Sequence, residues 1–227
     1  MELVFHVCLK SAIMFHSTTN DDIRKNPLNS KILVVSVIQF IDAYPLDDEQ
    51  QMSHMPEFTC VIKKIEIERQ ISRVAEIISA DYRNRELVLI GVLKGAFLFL
   101  ADLARQINLE KIQIDFLQAS SYGADTVSSE NIVLKKDIDV DIRGKDVLVV
   151  EDIVDTGLTL AYLIHHLQRF GPNSIKVCAM IDKCERRKAP VEVDYVCMMV
   201  PEGFLVGYGL DYAENYRNLP EIYHMKL

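Results

Sequence analysis

The sequence has no closely spaced pair of cysteines, no long apolar run and no excess of basic residues. Its five cysteines include no Cys-x-x-Cys pair and are odd in number, so we expect the buried, reduced thiols of a cytoplasmic protein. No apolar run approaches the roughly 18 residues of a membrane span, which predicts no membrane partner. The formal net charge of -8 argues against a dedicated nucleic-acid-binding surface.

The most informative stretch lies in the middle of the chain, at residues 147–160. Residues 147–150 are a run of branched aliphatic side chains, which is typical of a strand buried on both faces. Glu151 and Asp152 follow at its carboxyl end, and a loop at residues 155–159 turns past Gly157 into a helical pattern. Open parallel sheets bind ligands beyond the carboxyl ends of their strands, and a helix amino terminus attracts phosphate. The stretch therefore predicts a phosphate site beside two carboxylates suited to ribose hydroxyls or hydrated Mg²⁺.

Two familiar phosphate motifs do not fit this stretch. A Walker loop would carry a lysine after the glycine, and a dinucleotide fingerprint would carry more than one glycine. An alternative interpretation is a strand with a solvated acidic end, followed by an ordinary glycine-containing turn.

The flanking sequence repeats the pattern of buried strand, turn and helix. Apolar residues recur at helical spacing over residues 65–80. Residues 120–130 form a polar segment between two strands, which suits a mobile lid or an ordinary surface hairpin. The predicted strands cover residues 87–92, 112–117, 132–134, 175–181 and 193–200, and a further helix covers residues 97–107.

Residues 149–157, Val-Val-Glu-Asp-Ile-Val-Asp-Thr-Gly, resemble the phosphoribosyl-diphosphate (PRPP) motif of type I phosphoribosyltransferases, and within them most of all the hypoxanthine(-guanine) phosphoribosyltransferases. Three further motifs occur in the same order as in that family: Leu-Lys-Gly at 93–95, Ser-Tyr-Gly at 121–123 and Val-Gly-Tyr-Gly-Leu-Asp-Tyr at 206–212. The resemblance runs from about residue 57 to residue 219. It implies an α/β fold with a central, mostly parallel sheet flanked by helices, a flexible lid hairpin and a small hood region.

The resemblance implies a purine-salvage enzyme that transfers the 5-phosphoribosyl group from PRPP to N9 of hypoxanthine, and of guanine, with release of pyrophosphate. Mg²⁺ is the implied cofactor, and a homo-oligomer, either dimer or tetramer, is the implied assembly. Two alternatives remain open: a xanthine-guanine phosphoribosyltransferase, and a non-catalytic regulatory nucleotide-binding protein of the same fold.

The resemblance also assigns the residues that handle PRPP. Asp155 is the expected catalytic group, placed to take the proton from N7 of the purine. Ser121 and Tyr122 are expected in the lid, and the bond between Leu93 and Lys94 is expected to be cis. The PRPP and phosphate residues are Glu151, Asp152, Asp155, Thr156, Gly157, Leu158 and Thr159, and the pyrophosphate residues are Leu93, Lys94, Gly95 and Arg217.

For the purine, the resemblance implies that Lys183 contacts the 6-oxo group, that Tyr195 stacks on the base and that the backbone of Val196 reads its edge. Glu202 is expected at a second Mg²⁺ and near the purine amino edge, where family members commonly carry Asp or Asn. Glu151, Asp152 and Glu202 are thus the predicted metal ligands.

Residues 1–54 are not covered by the resemblance. We predict an amino-terminal extension of unknown role there, followed by a phosphoribosyltransferase domain at residues 55–227. The extension is either a real appendage or the product of an upstream start codon, and the second interpretation is favoured.

Overall fold

The structure is a computed structural model, and it describes residues 56–121, 132–201 and 203–226. All of them belong to one compact unit, Pro56–Leu227. Among them, no helix combines the length and the apolar character that a membrane crossing needs. The predictions made for residues 1–54, Tyr122 and Glu202 fall outside the described residues, and so they remain predictions.

Over residues 64–199, the described unit has the order of helices and strands that the sequence predicted. Its elements, in chain order, are β1 (Glu57–Ile62), α1 (Lys64–Asp81), β2 (Leu87–Leu93), α2 (Phe97–Gln106), β3 (Ile112–Ser121), β4 (Ile132–Lys136), β5 (Asp146–Val154), α3 (Leu158–Gln168), β6 (Ser174–Asp182), a short 3-10 turn (Cys184–Arg186), β7 (Tyr195–Met199), β8 (Leu205–Val206) and β9 (Ile222–Lys226).

The main sheet has six strands in the order β4-β3-β2-β5-β6-β7. β2, β3, β5, β6 and β7 run parallel to one another, and β4 pairs antiparallel with β3 at one edge. This mostly parallel sheet with helices on both faces confirms the predicted fold class.

The core lies on both faces of this sheet. The side chains of residues 147–150 are fully buried, as the aliphatic run predicted, and each contributes roughly 1.5–3 kcal/mol relative to an exposed position. On one face, the predicted stripe of α1, including Ile67, Ile71 and Ile78, packs with α2. On the other face, Leu160, Leu163 and Leu167 of α3 form a second cluster.

The sheet opens between β2 and β5. β2 is followed by α2 and then β3 on one side, whereas β5 is followed by α3 and then β6 on the other side. The pairing of β2 with β5 ends at Gly91 and Val150, although both strands continue against their outer neighbours. A crevice therefore opens at the carboxyl ends of β2 and β5, at the switch point where α/β sheets bind ligands.

Two smaller features flank the main sheet. β1, β9 and β8 form a separate antiparallel sheet in that order, which fits the predicted hood region. The antiparallel pair of β3 and β4, from Gln118–Lys136 to Ser121–Ile132, is the base of the predicted lid hairpin. The tip of that hairpin lies outside the described residues.

Candidate active site

The acidic pair lies inside β5 rather than after it. The sequence predicted a strand that ends before Glu151, but Glu151 pairs with Ala179, and the strand continues to Val154, which pairs with Asp182. Because β2 no longer pairs with β5 beyond Val150, this last part of the strand borders the crevice. The two carboxylates are therefore held on a rigid strand at the ligand edge of the sheet.

The two carboxylates of the pair are buried, and burial is the main influence on their pKa values. Burial, and next the charge of Asp152, raise the pKa of Glu151 well above its ordinary value. Burial also raises the pKa of Asp152 to about 6, although backbone N–H groups and Arg217 oppose the change. Oε2 of Glu151 is buried and has no hydrogen-bond partner among the described residues. A buried, unpaired carboxylate is costly, so the pair suits a ligand that brings positive charge or hydroxyl donors.

Asp155 lies where two cavities meet. One cavity, of about 230 Å³, is bordered by the β2 and β5 ends and the loop before α3, and the other, of about 640 Å³, is bordered by Lys183 and Phe204. Asp152 and Asp155 line both of them. Oδ2 of Asp155 lies 3.3 Å from Nη1 of Arg186, and its buried Oδ1 has no partner within the described part of the chain.

The loop before α3 has the features of a phosphate site. Gly157 has a φ of 77°, in the left-handed region that glycine adopts without steric cost, and it caps the amino end of α3. The backbone N–H of Leu158 donates to Oγ1 of Thr156 over 3.4 Å. On the far side, the carbonyl of Thr156 accepts from the N–H groups of Lys188 and Ala189. The helix amino end and its loop are thus fixed in place beside the smaller cavity.

The loop after β2 packs tightly against the carboxylate pair. Its bond between Leu93 and Lys94 is cis, as the resemblance implied. A Cβ atom added to Gly95 would overlap the carboxylate of Asp152, and one added to Gly209 would overlap the carbonyl oxygen of Gly95. Glycine at both positions lets three backbone segments meet at the crevice.

Arg217 joins the segment after β8 to this loop. Its Nη1 donates to the carbonyl of Gly209 over 2.7 Å, and its Nη2 lies 2.7 Å from Oδ1 of Asp211. Because Gly209 touches Gly95, the guanidinium is placed near the loop that carries Lys94, in agreement with the predicted grouping.

Lys183 begins the loop after β6, at the ligand edge of the sheet. It is 6% exposed, and its ammonium donates to the carbonyl of Gly203 over 2.6 Å. Burial lowers the pKa of Lys183, and the charge of Asp155 opposes that shift. A buried donor in a cavity wall can select a ligand that offers an acceptor there.

The structure does not bring Tyr195 and Val196 to this cavity, and the prediction for them is wrong. Tyr195 pairs with Cys178, four residues before Asp182, so it lies about 13 Å from the ligand edge along the strand direction. Its hydroxyl donates to Oδ2 of Asp81 over 2.8 Å. The carbonyl of Val196 accepts from Arg73 over 2.7 Å. Both residues pack at the amino end of β7.

Two residues that the sequence analysis did not assign take part in the larger cavity. Phe204 is 39% exposed and lines the cavity together with Lys183 and Asp211. Phe204 follows the carboxyl end of β7, and Asp211 lies in the Val-Gly-Tyr-Gly-Leu-Asp-Tyr motif itself. For Phe204, the signal was an aromatic residue beyond the carboxyl end of a parallel strand. For Asp211, the signal was its place within the motif.

A further cavity, of about 710 Å³, lies at the other edge of the sheet. It is lined by the end of α1 and by the loops that precede β2 and β3, and its charged residues, such as Glu76, Arg83 and Lys111, carry both signs. None of the four sequence motifs reaches it, so we do not assign it to the candidate site.

Comparison with known proteins defines the class of this chain. Residues 62–213 match the family model described as phosphoribosyl transferase domain. The crevice, the acidic strand end and the glycine-containing loop before α3 all lie inside that matched region. The fold and the site are thus those of a phosphoribosyltransferase domain.

Individual relatives narrow the class. The chain is 46% identical over 164 residues to a hypoxanthine-guanine phosphoribosyltransferase of Aquifex aeolicus, a match that covers 72% of this chain and 92% of the relative. It is 41% identical over 173 residues to a hypoxanthine phosphoribosyltransferase of Salmonella typhimurium, covering 75% and 96% of the two chains. A crystal structure of a hypoxanthine-guanine phosphoribosyltransferase from Bacillus anthracis matches with a TM-score of 0.71 at 44% identity, over 75% of this chain and 99% of that one.

The chain therefore belongs to the hypoxanthine(-guanine) phosphoribosyltransferases of the type I phosphoribosyltransferase family. This confirms the resemblance inferred from the four motifs.

Proposed function

We propose that the protein transfers the 5-phosphoribosyl group of PRPP to N9 of hypoxanthine and of guanine, releasing pyrophosphate and a nucleoside monophosphate for purine salvage. The observation that carries the proposal is the position of Asp155, which lines both the cavity beside the phosphate loop and the cavity beside Lys183. A reaction between a sugar phosphate and a purine needs such a group at the junction. The names of the relatives support the same activity.

The smaller cavity is proposed to hold the ribose phosphate. The 5-phosphate would accept from the N–H groups at the amino end of α3 and from the hydroxyls of Thr156 and Thr159, because a helix amino terminus favours anions. The backbone of Gly157 and Leu158 forms the rest of this loop. Glu151, whose buried Oε2 has no partner among the described residues, and Asp152 would lie against the ribose hydroxyls.

The Leu93–Gly95 loop and Arg217 are proposed to hold the pyrophosphate. Lys94, whose side chain is 54% exposed, supplies an ammonium, and Arg217, whose side chain is 19% exposed, supplies a guanidinium. Both are cations that can neutralise a leaving group with several negative charges.

The contact between Gly209 and Gly95 gives a test of this loop. In Gly209→Ala the new methyl group would overlap the carbonyl of Gly95, so we expect the loop to shift and the KM for PRPP to rise at least tenfold, since misplaced catalytic groups can cost about 10²-fold. Gly144→Ala is the control: Gly144 also has a positive φ, 69° against 98° at Gly209, but no atom lies within 4 Å of its added Cβ. Equal KM values for PRPP in the two variants would contradict the proposed packing.

The larger cavity is proposed to hold the purine. Lys183 would donate to the 6-oxo group in place of its present bond to the Gly203 carbonyl. We propose Phe204, in place of Tyr195, as the aromatic residue that packs on the base, because Phe204 lines this cavity and stacking on an aromatic ring suits a purine.

The chain's own residues account for the movement of charge in the reaction. N9 of the purine attacks C1 of the ribose, the bond from C1 to the pyrophosphate oxygen breaks, and the electron pair leaves with the pyrophosphate. The carboxylates of Glu151 and Asp152 favour the positive charge that develops on the ribose ring, and Asp155 takes the N7 proton. The lid at Ser121 and Tyr122 is proposed to exclude water, which would otherwise hydrolyse the same centre.

Mg²⁺ is the proposed cofactor. The described residues contain no cluster of three or more His, Cys, Asp or Glu side chains arranged for a metal, but Mg²⁺ commonly uses one or two carboxylates together with substrate phosphates. The unpaired Oε2 of Glu151 and the raised pKa values of Glu151 and Asp152 fit a dication near them. These two residues, with Glu202 as a further predicted ligand, would hold an ion that neutralises pyrophosphate.

A chelation experiment tests the metal. We expect nucleotide formation from PRPP and hypoxanthine to stop in excess chelator and to return when Mg²⁺ is added in excess of the chelator. Chelator pre-saturated with Mg²⁺ serves as the control. If turnover is undiminished in free chelator, the reaction does not depend on Mg²⁺ and the proposed role of the metal is contradicted.

The proposal extends to the assembly and the location of the protein. A homo-oligomer, either dimer or tetramer, is proposed because a related phosphoribosyltransferase of Trypanosoma cruzi is described in terms of its oligomeric state. A cytoplasmic location is proposed because Cys178 and Cys197 are buried free thiols, as is usual in a reducing compartment.

A further inference from the structure

Both cations of the pyrophosphate site are already in contact with a carboxylate of the same chain. Oε2 of Glu214 lies 2.9 Å from Nζ of Lys94 and 3.4 Å from Nη2 of Arg217. The contact joins segments that are 120 residues apart in the sequence. A single carboxylate oxygen therefore bridges the two cationic groups that the proposed function assigns to the leaving group.

The backbone around Glu214 is bent to bring its side chain to this position. Ala213, Glu214 and Tyr216 all have positive φ, of 49°, 66° and 73°, a conformation that non-glycine residues rarely adopt and that tends to mark functional sites. The N–H of Glu214 donates to Oδ2 of Asp211 over 2.8 Å, and Asp211 in turn pairs with Arg217. The turn is thus tied to the same guanidinium that its glutamate contacts.

We propose that Glu214 is an internal competitor of the diphosphate, whose carboxylate must leave Lys94 and Arg217 when PRPP binds and returns to them when pyrophosphate departs. This inference rests on the proposed function, because it takes Lys94 and Arg217 as the diphosphate-binding cations. Glu214 is then a residue that sets the affinity for PRPP and pyrophosphate, and it takes no part in bond making or breaking.

Charge and exposure give the physical reason. The side chains of Lys94 and Glu214 are 54% and 64% exposed, so the pair itself is weak and can exchange partners. The hydrogen bond to Lys94 lowers the pKa of Glu214, and the carboxylate therefore stays charged at neutral pH. A diphosphate that displaces it must break this pair and then lie near a like charge, and both effects weaken binding.

Glu214→Gln tests the competition, because the amide keeps the size and the hydrogen-bond acceptor but removes the charge. We expect pyrophosphate, measured by titration calorimetry at fixed Mg²⁺, to bind about two- to fivefold more tightly, the effect of one nearby charge in a solvent-exposed site. The KM for PRPP should fall in parallel, whereas the KM for hypoxanthine should not change. A general effect on folding would not separate the two KM values in this way.

Glu57→Gln is the matched control. Glu57 pairs with Lys226 at the same 2.9 Å and with similar exposure, 67% and 60%, but both residues lie in the separate small sheet. This variant loses the same charge and should keep the wild-type pyrophosphate affinity. In a Lys94→Met background, the gain from Glu214→Gln should shrink, because one of the two cations for which Glu214 competes has been removed.

The outcomes separate the inference from the function on which it rests. Equal or weaker pyrophosphate binding by an active Glu214→Gln protein overturns the competition and leaves the proposed function intact. An equal increase in pyrophosphate affinity in Glu57→Gln also overturns it, because the increase would then follow from the change in net charge and not from the position of Glu214. If the wild-type protein neither binds pyrophosphate nor makes nucleotide, the proposed function and the inference fail together.

Discussion

Replacing Asp155 with asparagine is expected to lower kcat by about 10²–10⁴-fold, the usual contribution of a general acid–base group. A carboxylate in a phosphate-binding loop repels the phosphate beside it, so its presence needs a reason. Its Oδ1 is buried and has no partner among the described residues, and the residue as a whole lines both cavities. Asparagine has the same shape but cannot take the N7 proton. Steady-state kinetics with saturating PRPP and hypoxanthine measure the effect.

Two further results decide how the Asp155 experiment is interpreted. PRPP binding should be largely kept in Asp155→Asn, because the loop N–H groups and the helix end remain. Asp139→Asn is a suitable control, since Asp139 is a 92% exposed carboxylate beside Lys136, and it should keep the wild-type kcat. If Asp155→Asn also keeps the wild-type kcat, Asp155 only shapes the loop.

Lys183 is expected to determine the choice of base. The lysine ammonium has hydrogen-bond donors and no acceptor. It can donate to a 6-oxo group, but the 6-amino group of adenine is itself a donor, so the two cannot form a hydrogen bond. Discrimination by a buried polar group that would be left unpaired can reach about 10⁴–10⁵. Lys183 is buried and bound to the Gly203 carbonyl, which argues against a solvent-facing lysine paired with Asp182 or Glu185.

Lys183→Ala should therefore reduce kcat/KM for hypoxanthine and guanine. The difference in kcat/KM between these two bases and adenine should become smaller. Lys183→Met keeps more of the side-chain volume and tests whether a cavity, rather than the lost donor, causes the effect. Lys188→Ala, an exposed lysine of the same loop, should leave the base preference unchanged. A preference that survives both Lys183 variants would show that another residue reads the 6-position.

Much of the main sheet follows from the sequence because its strands are buried on both faces. Residues 147–150 and 87–90 are uninterrupted aliphatic runs, and they are buried as such runs require. The helical stripe of α1 is similarly clear, since Ile67, Ile71 and Ile78 have one face to bury. The strands of the small sheet were not predicted, because the side chains of β1 are mostly exposed and β8 has two residues.

The candidate site could be predicted where a motif and a strand end coincide. Glu151 and Asp152 lie at the crevice because β5 carries them past its partner β2, and Asp155 follows the last residue of that strand. The strand bounds themselves could not be predicted, since β5 continues through an acidic pair that pattern alone assigns to a loop.

The error at Tyr195 has a physical explanation. Two aromatic residues lie near β7. Tyr195 is at the amino end of the strand, and Phe204 lies beyond its carboxyl end. The resemblance assigned base stacking to Tyr195, which precedes Phe204 in the sequence and lies at the wrong end of the strand. The rule that parallel sheets bind ligands beyond their carboxyl ends would have favoured Phe204.

The central claim is most directly tested by one steady-state assay of the purified protein with PRPP, Mg²⁺ and each of hypoxanthine, guanine, xanthine and adenine, with nucleotide and pyrophosphate both measured. The account predicts equimolar inosine monophosphate and pyrophosphate from hypoxanthine, turnover of guanine, and a kcat/KM for adenine lower by about 10⁴-fold or more. Adenine used as well as hypoxanthine, or no nucleotide formed from hypoxanthine and PRPP, would contradict it.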